Sequence, residues 1–299
     1  EAGVPCRPGP AALVHAQDKA VMREAMDRLG APQPRWALVS SPAEIEAFGL
    51  PCVLKVTRGG YDGKGVWVAR TLADTAEPLA DAARRGVRLL AEELISFRRE
   101  LSALVARAPS GEEVAYPIVA TTQLDGICHE VIAPAPDLPE ARAAEAQQLA
   151  RRIATELDVT GILAVELFEA DDGRILVNEL AMRPHNTGHW SQDGAVTSQF
   201  ENHLRAVLDL PLGSPEPRAP WTVMVNILGG PDPDAGHLYD GYPQALARDP
   251  RLRVHLYGKE LRPGRKVGHV NAYGDDLADC LERARHAAAW FRGDLRAEP

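Results

Sequence analysis

Two short β-rich runs, residues 52–56 and 66–69, are joined by Gly59-Gly60-Tyr61-Asp62-Gly63-Lys64-Gly65, and this join limits the folds open to the chain. Four glycines in seven residues let a backbone turn sharply and aim several N–H groups at phosphate oxygens. Lys64 adds a charge inside the turn, and Lys55 stands just before it. A Walker loop fails, because Lys64 is followed by Gly65-Val66 where that pattern needs Ser or Thr, and no helix opens there. A dinucleotide fingerprint fails too, since no helix opens there. What remains is strand, glycine turn, strand. A plain hairpin is the simplest form of that unit. Tyr61, Asp62 and Lys64 within the turn favour a flap over phosphates, since a mere turn does not call for a bulky aromatic.

Charge narrows the partners. With 33 Lys and Arg against 42 Asp and Glu, the net charge of -9 argues against nucleic acid and anionic membranes, which need a positive surface. The basic cluster at residues 259–266 reads as a site for a small anion. At 299 residues the chain can bury a real core and divides into two or three subdomains, with the 45% hydrophobic content of a soluble protein. Cys6, Cys52, Cys128 and Cys280 lie far apart without metal-ligand spacing, so free thiols in a reducing compartment are expected. No apolar run of membrane-spanning length and no export signal is visible, so a cytoplasmic protein is expected.

Periodicity predicts helices over residues 15–29 (ending at Gly30), 42–49 behind Ser41-Pro42, 71–85, 139–157 and 277–291. Strands are predicted at 88–105 and 114–133, with polar turns at Pro109-Ser110-Gly111 and Asp125-Gly126, and at 161–169, 174–181, 221–228, 253–257 and 266–272. Strands and helices without strict alternation indicate an α+β protein.

The hairpin over 161–181 carries the chemistry. With Asp172-Gly173 as a two-residue turn, Glu166 lies opposite Glu179. Like charges facing across a ladder are destabilising unless a cation sits between them, and all-carboxylate ligation suits Mg²⁺ carrying nucleotide phosphates. Two solvated glutamates are the alternative, but Val165, Leu167, Ile175 and Val177 mark covered strands. Asn178 adjoins the site, although strand alternation turns it to the other face. Arg183-Pro184-His185-Asn186-Thr187-Gly188-His189-Trp190 follows at once. Arg binds a planar oxyanion bidentately and His donates or moves a proton, so Arg183, His185 and Asn186 are candidate catalytic residues, with His189 flanking the metal.

GGYDGKG, Glu92-Glu93-Leu94-Ile95 with Glu100, and NELAMRPHNTGHW together resemble the ATP-grasp ligases, and among them the 5-(carboxyamino)imidazole ribonucleotide synthases. His255-Leu-Tyr-Gly-Lys259 and Arg262-Pro-Gly-Arg-Lys-Val-Gly-His269 extend the resemblance over residues 5–273. It implies an ATP-grasp fold with a small lid and a larger antiparallel-sheet core, in an α+β chain expected to be without the family's preceding α/β domain. The implied division is a linker and helix over 1–35, a lid over 36–91, a core over 92–210 and a C-terminal subdomain over 211–299. ATP phosphates would meet Lys19, Lys55 and a flap of Gly60, Tyr61, Asp62, Gly63, Lys64 and Gly65. Glu92, Glu93, Leu94 and Ile95 would line the adenine pocket, and Glu100 would take the ribose hydroxyls. Glu166 and Glu179, assisted by Asn178, would hold Mg²⁺. Arg183, His185 and Asn186 would hold bicarbonate and then carboxyphosphate. Tyr61, Asp62, Lys259, Arg265 and Lys266 would grip 5-aminoimidazole ribonucleotide, with Lys259 also counted catalytic. Met182 stands where the family carries proline, and Gln123 where relatives can carry histidine. A homodimer without nucleic-acid or membrane partners is implied. Two rivals share the nucleotide site: a formate-dependent phosphoribosylglycinamide transformylase and a nucleotide-binding module without turnover.

Overall fold

A computed structural model describes residues 3, 5–60, 63–124, 126–230 and 238–295; Tyr61 and Asp62 of the flap lie outside the described residues. The helix expected over 15–29 is two, α1 (Pro10–Gln17) and α2 (Lys19–Leu29). Asp18 breaks them with extended backbone, and its carboxylate accepts from the N–H groups of Ala20 and Val21, capping α2. The Lys19 N–H donates to the Thr57 carbonyl at 2.9 Å, which ties the start of α2 to the glycine turn. Gly30 ends α2 in the left-handed region, as expected.

The first sheet holds β1 (Trp36–Val39), β2 (Cys52–Val56), β3 (Val66–Ala69) and β4 (Leu89–Glu93), antiparallel in the order β1-β4-β2-β3. Helix α3 (Pro42–Phe48), capped by Ser41, and α4 (Ala76–Arg85) cover it. Ile45, Leu54, Val56, Leu89 and Ala91 make its core. Residues 88–105 do not form one strand. The chain leaves this sheet after β4 and enters a second one as β5 (Phe97–Arg107), so residues 94–96 bridge two bodies of structure.

The second sheet adds β6 (Glu113–Ala115), β7 (Val119–Leu124), β8 (Ile127–Ala133), β9 (Gly161–Ala170), β10 (Ile175–Ala181), β11 (Trp221–Leu228), β12 (Arg253–Leu256) and β13 (Lys266–Gly274). Its order is β10-β9-β5-β7-β8-β11-β13-β12, with β6 on the end of β5, and it runs unbroken past residue 210. Helix α5 (Glu140–Glu156) joins α1 and α2 over a core of Met22, Met26, Ile153, Leu163, Val165 and Val177. Short α6 (Ser191–Gly194) and α7 (Gln199–Val207) follow β10; α8 (Tyr242–Arg248) precedes β12, and α9 (Leu277–Arg292) covers β11 and β13 through Cys280, Ala284, Ala287 and Phe291. All four cysteines are free. Among the described residues no helix is long and apolar enough to cross a membrane.

Candidate active site

The β9–β10 hairpin corrects one expectation and keeps its consequence. Its turn holds three residues, 171–173, closed by the Ala170 N–H to the Arg174 carbonyl at 2.9 Å. That register pairs Val177 with Leu167, and a bulge at Asn178 then moves it by one residue, so Glu179 faces Glu166 after all. Because a bulge inserts an extra residue, Asn178 and Glu179 share one face while Val177 and Leu180 both stay in the core. The expected turning away of Asn178 is therefore wrong. Its Oδ1 accepts from Lys55 Nζ at 3.2 Å.

Behind this face lies a buried charge cluster. Glu92 receives Arg23 Nε at 2.8 Å on one oxygen and Lys55 Nζ at 2.7 Å on the other. Burial alone would raise this carboxyl, but Lys55 and Arg23 outweigh it and hold it at about 2. Lys55 is pushed down by burial, with Arg23 and Lys19 nearby and Glu92 opposing. Arg23, 0% exposed, also donates to the carbonyls of Val177 and Asn178 at 2.7 and 2.9 Å, so it pins the bulge. Lys19 Nζ pairs with Glu179. Glu166 is pushed up to about 7 by burial, Glu179 and Glu100, and burial alone takes Glu100 to about 7. Burial and the neighbouring carboxylates thus disfavour the charged form of Glu166.

The loop after β10 completes the site. His185 Nε2 lies 3.2 Å from Glu166 Oε1, and burial with Arg183, Lys266 and His189 holds its ring down at about 3, so it is neutral. Asn186 and Asn226 exchange side-chain amide hydrogen bonds at 2.9 and 2.7 Å, and Asn226 also donates to the Cys128 carbonyl. Arg183 is exposed at the mouth. Gly65, with positive φ, closes the flap hairpin: an added Cβ would meet Val56 Cγ2 at 2.6 Å.

One cleft of about 850 Å³ collects Lys19, Lys55, Gly60, Gly63, Glu92, Glu93, Leu94, Ile95, Glu100, Glu166, Asn178, Glu179, Arg183, His185, Asn186 and Lys266, with Gln123 and the stacked Phe97 and Phe168. Lys64, Gly65, Lys259 and Arg265 are not on its wall. Lys259 Nζ lies over the Tyr257 ring, and Arg265 bonds the Glu260 carbonyl. His189 does not flank the carboxylates either. Its ring stacks on Phe200 and His269, is held by Gln199, and burial with Lys266, His255 and others takes it down to about 4. Sequence reasoning missed Arg23, although its position three residues from both Ala20 and Met26, on the apolar stripe of α2, signals a buried cation that needs a partner. It also missed Asn226, Thr187 and Ser102. Among the described residues no three His, Cys, Asp or Glu side chains converge as a metal cage, so a cation here would take two carboxylates and complete its shell from elsewhere.

A glycine hairpin and a bulged strand on one cleft, with Lys19, Lys55 and the facing Glu166 and Glu179 on its wall, is the architecture of ligases that activate a carboxyl group with a nucleoside triphosphate. Residues 24–200 match the ATP-grasp domain model, and residues 222–283 match that of the phosphoribosylaminoimidazole carboxylase C-terminal domain. N5-carboxyaminoimidazole ribonucleotide synthase of Mycobacterium tuberculosis (strain ATCC 25618 / H37Rv) is 54% identical over 293 residues, 97% of this chain and 68% of that protein. The Synechococcus elongatus synthase is 43% identical, over 100% of this chain and 77% of its own length. Among solved structures, an ADP complex of an N5-carboxyaminoimidazole ribonucleotide synthetase aligns with TM-score 0.85 and 37% identity, over 96% of this chain and 74% of the other. The Aspergillus clavatus enzyme with ADP and 5-aminoimidazole ribonucleotide aligns with TM-score 0.86 and 32% identity, over 97% and 77%. The chain belongs to the ATP-grasp family and, within it, to the N5-carboxyaminoimidazole ribonucleotide synthases, ATP-dependent ligases of purine biosynthesis.

Proposed function

We propose that this chain carboxylates 5-aminoimidazole ribonucleotide with bicarbonate at the expense of ATP, through carboxyphosphate. A bicarbonate oxygen attacks the γ-phosphorus and ADP leaves. The exocyclic amine of the ribonucleotide then attacks the carboxyl carbon, loses a proton, and phosphate departs with the electrons of the broken C–O bond. The carrying observation is the register that sets Glu179 against Glu166 within one cleft that also holds Lys19, Lys55, Arg183 and His185. These donors fit Mg²⁺, since two facing carboxylates plus triphosphate oxygens make an all-oxygen shell, and Mg²⁺ would supply charge neutralisation at the phosphates. Lys55 and Lys19 orient the phosphates, and the glycine flap excludes water from the acyl phosphate. Arg183 and Asn186 orient the bicarbonate, and Lys259, Arg265 and Lys266 supply the charge that attracts the ribonucleotide phosphate. A cytoplasmic homodimer is the form we expect, checked by light scattering.

Phosphate release from ATP tests the reading. It should need 5-aminoimidazole ribonucleotide and bicarbonate, and fail with glycinamide ribonucleotide and formate. Release with only the second pair overturns the proposal, and tight ATP binding with neither leaves a binding module. Glu179→Ala should lower turnover by about a hundredfold or more; a fully active variant refutes the metal assignment.

A further inference from the structure

A second layer of hydroxyl groups stands behind the bicarbonate loop. His185 Nδ1 faces the Thr187 backbone N–H at 3.5 Å and Thr187 Oγ1 at 2.9 Å. Thr187 Oγ1 lies in turn 2.7 Å from Ser102 Oγ. Both hydroxyl residues are buried, at 2% and 1% exposure. A backbone N–H can only donate, so Nδ1 accepts and carries no proton. The Thr187 hydroxyl then donates to the same nitrogen and accepts from Ser102. The single ring proton is left on Nε2, the nitrogen 3.2 Å from Glu166 Oε1 and on the cleft side. Ser102 on β5 is the direct cross-strand partner of Glu166 on β9, so one strand pair sets both ends of the chain Ser102–Thr187–His185–Glu166.

Which nitrogen of a histidine carries the proton is decided by the hydrogen bond made by the other one. We propose that Thr187 and Ser102 are positioning residues that lock His185 as the Nε2–H tautomer, a fixed hydrogen-bond donor to the oxygens of bicarbonate and carboxyphosphate. Bicarbonate is already an anion at neutral pH and needs no base to become a nucleophile. It needs donors that hold its outer oxygens while one oxygen attacks, and a ring with a bare Nε2 would present a lone pair to those oxygens. The role assigned to His185 rests on the function proposed above; the tautomer does not.

The test uses the full chain labelled with ¹⁵N-histidine, read by long-range ¹H–¹⁵N spectra without substrates, beside steady-state kinetics. The wild-type His185 ring should be neutral with its proton on Nε2. Thr187→Val keeps the shape and the backbone N–H but removes the hydroxyl, leaving Nδ1 only the 3.5 Å backbone contact, too weak to hold the tautomer alone, so the spectrum should show exchange between tautomers. Its kcat/KM for bicarbonate should fall about tenfold while KM for ATP is unchanged. Thr187→Ser should restore both, and Ser102→Ala should give the Thr187→Val pattern more weakly, which keeps the test open if Thr187→Val folds poorly. A wild-type ring protonated on Nδ1, or Thr187→Val with unchanged spectrum and unchanged bicarbonate kinetics, overturns the lock. A locked Nε2–H ring without bicarbonate-dependent phosphate release sinks the functional reading and leaves the lock standing.

Discussion

Glu92, which the resemblance places at the adenine, lines the cleft with its carboxylate engaged by Arg23 and Lys55, and Glu92→Gln measures what that engagement is worth. The substitution keeps the side chain's size and removes its charge. A carboxyl ordinarily near 4.5 but held at about 2 in the folded chain contributes about 3 kcal/mol at pH 7. The carboxyl is almost wholly buried, so no large screening discount applies. The sign follows from the depressed value: the contribution is complete above the unfolded carboxyl range and is lost as pH falls through about 2. Wild type and variant should therefore differ most at neutral pH and converge in acid below 4.5. At roughly 2–4 °C per kcal/mol for a chain of this size, Tm at pH 7 should drop by about 6–12 °C. Urea denaturation followed by circular dichroism at pH 7, 5, 4 and 3 gives the profile, with exposed Glu46→Gln as the control. A loss below about 1 kcal/mol at pH 7, or a gap that widens in acid, refutes the hub.

Two smaller perturbations probe the elements around that hub. Gly65→Ala forces a Cβ to 2.6 Å from Val56 Cγ2 at a left-handed residue, so it should cost about 1–3 kcal/mol and raise KM for ATP; denaturation and phosphate-release kinetics check it. Asn178→Ala removes one hydrogen bond to Lys55, worth about 1 kcal/mol, and should weaken ATP binding roughly fivefold in calorimetry while leaving bicarbonate KM unchanged.

What could be read from the sequence was what neighbouring residues decide among themselves. Strand β11 falls on the expected 221–228, and α5 and α9 lie within two residues of their expected ends, because each carries its own apolar period. The break at Asp18 was written locally too, as a capping residue inside an apolar stripe, but the stripe hid it. Residues 94–96 look like part of one long strand because changing sheets leaves no mark on hydrophobic alternation. The Glu166–Glu179 facing was reached through a wrong turn length, and a bulge that no local pattern reveals restored it. Thr187 and Ser102 are 85 residues apart and meet only because β5 pairs with β9. Contacts of that kind belong to topology; the resemblance to the family named ligands for the cleft residues but not these contacts.

The arrangement of cations also bears on which lysine moves when a triphosphate arrives. An unpaired ammonium at low exposure is costly, and Lys19 and Lys55 each have a carboxylate partner in the free chain. The two pairs differ in kind. Glu92 is shared with buried Arg23, and Arg23 is fixed by the Val177 and Asn178 carbonyls, so the Lys55 partner cannot withdraw. Glu179 is 42% exposed on its side chain, faces Glu166 across the hairpin, and has Lys19 as its ion-pair partner. A divalent cation held by the two glutamates, as the proposed function has it, would compete with the Lys19 ammonium for Glu179. Under the proposed function the consequence would be an exchange, with Lys19 released from Glu179 toward phosphate and Lys55 meeting the phosphate from a site that keeps its partners. Lys19, the cation that would exchange, sits at the N-terminus of α2, where one capped turn anchors it, and Lys55 sits within β2, where a sheet does.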